Sequence, residues 1–213
     1  SVDGIEIDIL NYIGDILNIN FEIKTINTST RTSNKNKEIY FTYDKENFDY
    51  AKNILSDVIN TVPLALATTN DKNLITNLST IGEKNILVIN NNEIFKKLSK
   101  KFPLINFYKE ASIKKAFKLL EEEKVFAVID DTLTLSHYII KNKFNNIKLS
   151  GTLNFEKEIR ISTVKSNYPF IAVINKIIKG LDEKQKSLFI EKYQLILYQK
   201  VSDYSWVYKF LLP

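Results

Sequence analysis

Polar side chains with chemical potential follow two apolar, strand-like runs of the sequence. Asn90–Asn92 come directly after the run 85–89, and Asp131 comes after the run 125–129. Backbone N–H groups at the beginning of a helix attract anions, so the asparagines are candidates for a ligand cradle. Asn and Asp are also common N-cap residues, so either position could simply begin a helix. Ligand contact and plain capping therefore both stay open.

The residue types needed for catalysis or metal binding are scarce. The chain has no cysteine, which excludes disulfides, thiolate catalysis and cysteine zinc sites. The single histidine, His137, has no obvious nucleophile, acid or second metal ligand beside it. The pair Asp130–Asp131 alone does not make a catalytic dyad, and no phosphate loop or nucleophile elbow occurs. We expect no catalytic residue, metal or cofactor, and predict that this domain is not an enzyme.

The basic net charge does not indicate nucleic-acid binding. The net charge is +5, but most of the surplus is lysine spread along helix faces, and Arg31 and Arg160 are the only arginines. A nucleic-acid footprint would cluster arginines with interleaved aromatic residues. The sequence also has no run of about 18 apolar residues, the length needed to span a bilayer. We therefore predict no nucleic-acid partner, and membrane attachment only through segments outside this chain.

The elements that must position these residues follow from hydrophobic periodicity. The spacing predicts a helix over 8–17 and a strand over 21–24, followed by a polar segment, 25–47, which is a long loop or marks missing residues. Further strands are predicted over 62–68, 85–89, 105–108, 125–129 and 159–164, and helices over 93–102, 112–123, 133–141, 170–179 and 183–198. Alternating strands and helices are typical of βαβ units with parallel strands, which predicts an α/β fold.

Six segments, taken in order, resemble the type II periplasmic-binding-protein superfamily, in particular its family 3 solute-binding and sensor-domain branch. The resemblance covers about the whole chain and is carried by Asp3–Leu10, Val62–Thr68, Phe102–Ala116, Val125–Asp131, Ile161–Pro169 and Asn175–Lys176. Each segment alone is weak, but their order is specific for the fold and less so for function.

The resemblance implies two lobes, each a mostly parallel sheet flanked by helices. Lobe I would comprise residues 1–67 and 164–213, and lobe II residues 68–163. The chain would cross between lobes twice, so we expect Thr68 and Thr163 to lie side by side at the hinge.

In relatives, the position of Asp131 pairs with a ligand ammonium, and Ser56 and Thr61 match lobe I hydroxyl positions near the cleft. Together with Asn91 and Asn92, these residues form the predicted ligand-binding site. The ligand would be a small molecule such as an amino acid or organic acid. However, amino-acid-binding members carry a carboxylate-gripping arginine where this chain has residues 49–50, an Asp-Tyr pair.

The segment Asp203–Trp206 resembles the juxtamembrane end of sensor-kinase ectodomains in the superfamily. We therefore predict a ligand-sensing domain in the periplasm, on the extracytoplasmic side of the inner membrane, that signals to an output module such as a histidine kinase. The full-length receptor could form a homodimer. Two alternatives stay open: a free or lipid-anchored solute-binding receptor of an ABC-type transporter, and a periplasmic-binding-like enzyme such as a dehydratase.

Overall fold

Helices and strands alternate through most of the chain in the computed structural model, which describes residues 4–23, 38–45, 48–75 and 77–201. The helices are α1 (Ile5–Leu17), α2 (Asn92–Lys101), α3 (Ile113–Glu121), α4 (Thr132–Lys141), α5 (Tyr168–Gly180) and α6 (Glu183–Val201), with 3₁₀ turns at Leu78–Thr80 and Lys165–Asn167. The strands are β1 (Tyr40–Thr42), β2 (Asn53–Leu55), β3 (Asn60–Thr69), β4 (Asn85–Ile89), β5 (Asn106–Glu110), β6 (Ala127–Asp131) and β7 (Ile147–Val164).

The strands pair in the order β1-β7-β3-β6-β4-β5, and β2 also pairs with β7. β4 lies parallel to β5 and β6, as the βαβ pattern predicts. β3 runs antiparallel to β6 and β7, and β1 and β2 run antiparallel to β7. The mixed α/β class is confirmed. One group of strands consists of β1 and β2 paired with β7, and the other consists of β5 and β6 paired with β4. Strand β3 joins the two groups because it pairs with both β7 and β6, a connection that the sequence pattern did not indicate.

The long strand β7 corrects the predicted crossing point. Thr68 lies opposite Lys148 on β7, whereas Thr163 lies opposite Ile54 on β2. The expectation that Thr68 and Thr163 lie side by side is therefore wrong. The pattern predicted a strand only over 159–164, but β7 extends over 18 residues, and its pairing with β3 shifts register between Pro63 and Ala65 and between Leu66 and Ala67.

Three apolar clusters form the core. The first packs α1 and α5 against Val62 of β3, against Ile59 just before β3, and against the part of β7 from Ile159 onward. The other two lie on opposite faces of the β3-β6-β4 region, because successive strand residues point to opposite faces. Leu64 and Leu66 belong to the cluster that includes α2, whereas Ala65 and Ala67 belong to the cluster that includes α3 and α4.

Further differences lie in the N-terminal part of the chain, where β2 (Asn53–Leu55) was also not predicted. Residues 21–23 do not form the predicted strand, and the rest of that prediction, Lys24, lies outside the described residues. The polar segment contains a short strand, β1, paired with β7. The segment Asp203–Trp206 also lies outside the described residues. Among the residues that the structure describes, no helix is long and apolar enough to cross a membrane.

Candidate ligand-binding site

The predicted site residues 90–92 and 131 lie at the same edge of the sheet. β4 and β6 are parallel neighbours, with Val88 opposite Ile129, so the residues that follow them emerge side by side. The helices that begin there are capped by the predicted residues. Asn91 Oδ1 accepts from the Ile94 N–H at 2.8 Å, beginning α2, and Asp131 Oδ1 accepts from the Thr134 N–H at 2.7 Å, beginning α4.

Asp131 is not an exposed cap, however. It is only 6% exposed and shares the ammonium of Lys157 with its neighbour Asp130. Lys157 Nζ lies 2.9 Å from Asp130 Oδ1 and 2.8 Å from Asp131 Oδ2. The second oxygen of Asp131 also accepts from the Thr134 hydroxyl at 2.8 Å. Asp131 is therefore not a solvent-facing cap, because β7 brings a lysine over the end of β6.

Burial and the shared ammonium separate the pKa values of the two carboxyl groups. Burial raises the pKa of Asp130 to about 6; Lys157 opposes this shift, and the neighbouring Asp131 carboxylate adds to it. Burial also acts to raise the pKa of Asp131, but Lys157 and the hydrogen bonds from Thr134 outweigh it, and the net shift is downward. Burial acts to lower the pKa of Lys157, yet the two carboxylates raise it well above its ordinary value. The ammonium of Lys157 thus pairs with two carboxyl groups, and Asp131 stays ionised to a lower pH than Asp130.

A short segment after β1, residues 43–45, covers the beginning of α2. The side-chain amide of Asn91 donates to the Tyr43 carbonyl at 2.8 Å. The backbone N–H of Asn92, the first residue of α2, donates to Asp44 Oδ2 at 2.8 Å, and its side-chain amide donates to the same oxygen at 3.1 Å. The cradle predicted for an anion at Asn90–Asn92 therefore holds a carboxylate of the protein itself.

Tyr43 links the Lys157 cluster to helix α1. Its ring lies beneath the ammonium of Lys157, with Nζ 4.9 Å from the ring centroid. Its hydroxyl donates to the carboxylate of Glu6. Burial, followed by the nearby Glu6 charge, raises the pKa of Tyr43, so this phenol stays protonated. Tyr43 thus separates two charged groups with a neutral ring.

Ser56 is placed differently from the other predicted residues. Its hydroxyl is buried, donates to the Asp57 carbonyl at 2.7 Å and accepts from the Ile161 N–H at 3.0 Å. Its own carbonyl accepts from Arg160, which also contacts the carboxylate of Glu158. Through these bonds Ser56 connects the end of β2 to β7, and its hydroxyl acts both as a hydrogen-bond donor and as an acceptor within the protein.

A chain of charges leads from that contact towards α2. Glu158 pairs with Lys45 at 2.8 Å, and Lys45 lies 3.9 Å from Glu93 in the first turn of α2. Thr61, which is half-buried, lies opposite Glu158 in the β3–β7 pairing. The structure therefore brings Asp131, Asn91 and Asn92 to one edge of the sheet. Ser56 is connected to that edge through Arg160, Glu158 and Lys45, and Thr61 lies opposite Glu158.

The space between the beginning of α2 and the Asp130–Lys157 pair is closed. No cavity remains in the region lined by Leu64, Val88, Ile89, Asn91, Ile94, Ile129, Asp130 and Lys157. Within the described ranges, no group of three or more His, Asp or Glu side chains is arranged to hold a metal ion. The arrangement can bind opposite charges at two neighbouring points, one at the N-terminus of α2 and one at Asp131.

Three residues of this site were missed by the sequence interpretation. Lys157 stood in a stretch not recognised as strand, and Tyr43 and Asp44 stood in the segment interpreted as loop. The alternating, aromatic-rich run 40–43 could have indicated a short strand. No local signal could have paired Lys157 with Asp131.

Solved structures share this fold. The periplasmic VFT2 domain of BvgS from Bordetella pertussis is similar, with a TM-score of 0.75 at 14% identity over 89% of this chain and 83% of that one. A periplasmic binding protein of an arginine transport system from Legionella pneumophila is similar with a TM-score of 0.68 at 16% identity, over 94% and 89% of the chains. The substrate-binding protein of an amino acid ABC transporter has a TM-score of 0.64 at 18% identity, over 91% and 88%.

The likeness confirms the predicted fold, the two-lobed architecture of type II periplasmic binding proteins. No protein-family model and no curated protein sequence matches the chain.

Proposed function

We propose that this chain is the extracytoplasmic ligand-sensing domain of a membrane-anchored receptor. A small solute binds between the two lobes, and the change in lobe arrangement is passed to an output module such as a histidine kinase. The chain itself would carry out no catalysis. The observation that carries the proposal is the meeting of Asp131, Asn91 and Asn92 at the carboxyl ends of β4 and β6, where open α/β sheets bind ligands.

The proposal assigns the chain to two lobes, with residues 1–67 and 164–213 in lobe I and 68–163 in lobe II. The apolar clusters support such a division, because the buried residues of the cluster around α1 and α5 come from other elements than those of the clusters around α2, α3 and α4, apart from the shared strands β3 and β7. One contact crosses this division, since Leu133 of α4 packs against the cluster around α1 and α5. The clusters favour a boundary slightly earlier on β3, between Val62 and Leu64. The hinge would then lie where Val62 faces Lys157.

The ligand chemistry follows from the charges at the proposed site. Backbone N–H groups at the beginning of α2 suit a carboxylate, and the carboxylate of Asp131 suits an ammonium. A small amino acid carries both groups, and an organic acid carries the first. The similar Legionella protein belongs to an arginine transport system, which supports a solute of this size and charge.

A second candidate is the solute-binding receptor of an ABC-type transporter, free or lipid-anchored. The similarity to transport proteins over 94% and 91% of the chain favours it. Membrane fractionation and topology-reporter fusions of the full-length gene product separate the two. A sensor stays in the membrane after a salt and carbonate wash with its output domain in the cytoplasm, whereas a transport receptor has no cytoplasmic domain.

A thermal-shift screen of amino acids and small organic acids tests the solute-binding proposal itself. A solute that binds only the folded protein raises the melting temperature, and above its Kd the stabilisation grows with the logarithm of its concentration. The expected result is at least one solute with a concentration-dependent shift. That shift should be abolished in Asn92→Pro, which removes the α2 N–H that faces the site. It should be retained in Asp71→Ala, an exposed carboxylate on a distant turn.

A further inference from the structure

Side chains of the protein itself occupy both charged points of the proposed site. The N–H of Asn92 donates to the carboxylate of Asp44 at 2.8 Å, and Asp131 receives the ammonium of Lys157 at 2.8 Å. Under the proposed function, the same two points would receive the carboxylate and the ammonium of a solute. Asp44 and Lys157 therefore present the two charges of an amino acid to the groups that would recognise one.

The covering segment also joins parts of the chain assigned to different lobes. Residues 43–45 follow β1, which pairs with the C-terminal part of β7, beside the cluster that includes α1 and α5. Their partners Asn91, Asn92 and Glu93 begin α2, which packs in another cluster. The contacts between them include a hydrogen bond from the Asn91 amide to the Tyr43 carbonyl and a hydrogen bond from the Asn92 N–H to the Asp44 carboxylate. Lys45 and Glu93 form an ion pair.

These contacts are made by charged and polar groups, which distinguishes them from ordinary packing. The ring of Tyr43 lies over Lys157, and the backbone N–H of Lys45 contacts the carboxylate of Glu93 at 3.4 Å. A solute with the same charges can replace these hydrogen bonds and ion pairs one after another, because its carboxylate and ammonium groups make the same kinds of contact. An apolar plug could not be displaced by a charged solute in this way.

We propose that the segment Tyr43–Lys45, with Lys157 at the Asp131 point, acts as a built-in substitute for the ligand, and that the contacts of Tyr43–Lys45 with α2 hold the lobes closed without solute. This inference rests on the proposed function and concerns the regulation of the same site. A solute gains access only by displacing Asp44 from α2. Its apparent affinity is therefore reduced by the fraction of molecules in which the segment is in place.

The distance between the lobes tests this inference directly. The chain has no cysteine, so a pair of spin labels can be attached at Lys100→Cys on α2 and Lys176→Cys on α5 without further changes. Both lysines are exposed, one in each proposed lobe. Double electron–electron resonance then reports the distance distribution in solute-free protein with Asp44 intact, with Asp44→Ala and with the control Asp71→Ala.

The expected result is one short distance for the parent and for Asp71→Ala, and a second, longer distance in Asp44→Ala. The open-to-closed ratio should rise about tenfold, as expected for loss of one charge-assisted contact. Asp44→Asn, which keeps the shape and removes the charge, should give an intermediate ratio. Distributions that are the same in parent and Asp44→Ala, whether short or long, would overturn the inference.

The solute screen keeps this test separate from that of the proposed function. If a solute binds the parent and Asp44→Ala with equal affinity, the inference fails and the proposed function stands. If the lobes open in Asp44→Ala but no solute binds either protein, the internal closure stands and the proposed function fails. The inference and the proposed function together predict binding about tenfold tighter in Asp44→Ala.

Discussion

Lys157 reaches from β7 to the end of β6 and donates to Asp131 at 2.8 Å, although the two residues are 26 positions apart. The same ammonium also lies 2.9 Å from Asp130. This cluster sits where β3 and β7 pass each other, with Val62 opposite Lys157. The hinge region of the proposed lobes and the proposed ligand site therefore share one set of charges.

Replacing Lys157 should strongly destabilise the fold. Lys157→Met leaves two buried carboxyl groups without their cation, and breaking a buried ion pair in this way costs about 3–5 kcal/mol. The triple variant Asp130→Asn, Asp131→Asn and Lys157→Met removes all three charges and should recover at least half of the loss. Urea denaturation at pH 7.5 measures both free energies of unfolding. A loss below about 1 kcal/mol in the single variant, the size of an exposed ion pair, would contradict the buried cluster.

The raised pKa of Asp130 predicts a pH dependence of stability. Its pKa rises from 3.8 to about 6 on folding, so the folded state binds this proton more tightly. The resulting stabilisation is complete below the unfolded pKa and is lost as the pH rises through about 6. Lys157 and Asp131 keep their charges in this range, because their pKa values are shifted up and down respectively.

Asp130→Asn provides the matched control, because the amide cannot titrate. The difference in free energy of unfolding between parent and variant should change by about 1–3 kcal/mol from pH 4.5 to pH 7.5, with the parent losing stability relative to the variant. Denaturation curves at both pH values give this difference directly, and the effects of titrating groups remote from Asp130 cancel. A difference that is independent of pH would show that Asp130 titrates normally.

A comparison of two helix N-caps, Asn91 and Ser112, distinguishes the stability contributed by capping from that contributed by the contact with Tyr43. Asn91 caps α2 and donates to the Tyr43 carbonyl, whereas the exposed Ser112 caps α3 through the Lys115 N–H alone. Ser112→Ala should cost about 1 kcal/mol, the usual value of a cap. Asn91→Ala should cost about 1–3 kcal/mol more, because it also leaves a carbonyl unpaired in a partly buried position. Equal losses for the two variants would mean that the contact with Tyr43 contributes nothing to stability.

The close approach of β7 to the loop after β3 gives a steric prediction. A Cβ at Gly151 would lie 2.0 Å from the carbonyl oxygen of Ile75, whereas nothing lies within 4 Å of one at Gly180. Gly151→Ala should therefore destabilise the protein by at least about 2 kcal/mol, as overpacking against backbone does. Gly180→Ala should change stability by no more than about 1 kcal/mol. Thermal melts of both variants test the contrast.

Local patterns predicted the elements around the site better than the contacts within it. The strand Asn85–Ile89 was predicted, and capping was one of the two roles considered for Asn91 and Asp131, because periodicity and cap preference act over a few residues. Asp44 and Asn92, in contrast, are 48 positions apart. Such pairs depend on how β1 and β7 run past α2, and no local spacing encodes that path.

Hydrogen–deuterium exchange with a solute found by the thermal screen measures most directly where on the protein the solute binds. We expect slower exchange at the beginning of α2, around Asn92–Ile94, and at the beginning of α4, around Thr134. We also expect faster exchange in the displaced segment at Asp44 and Lys45. Protection confined to other elements, such as α3 or α5, with unchanged exchange at α2 and α4 would contradict the proposed site.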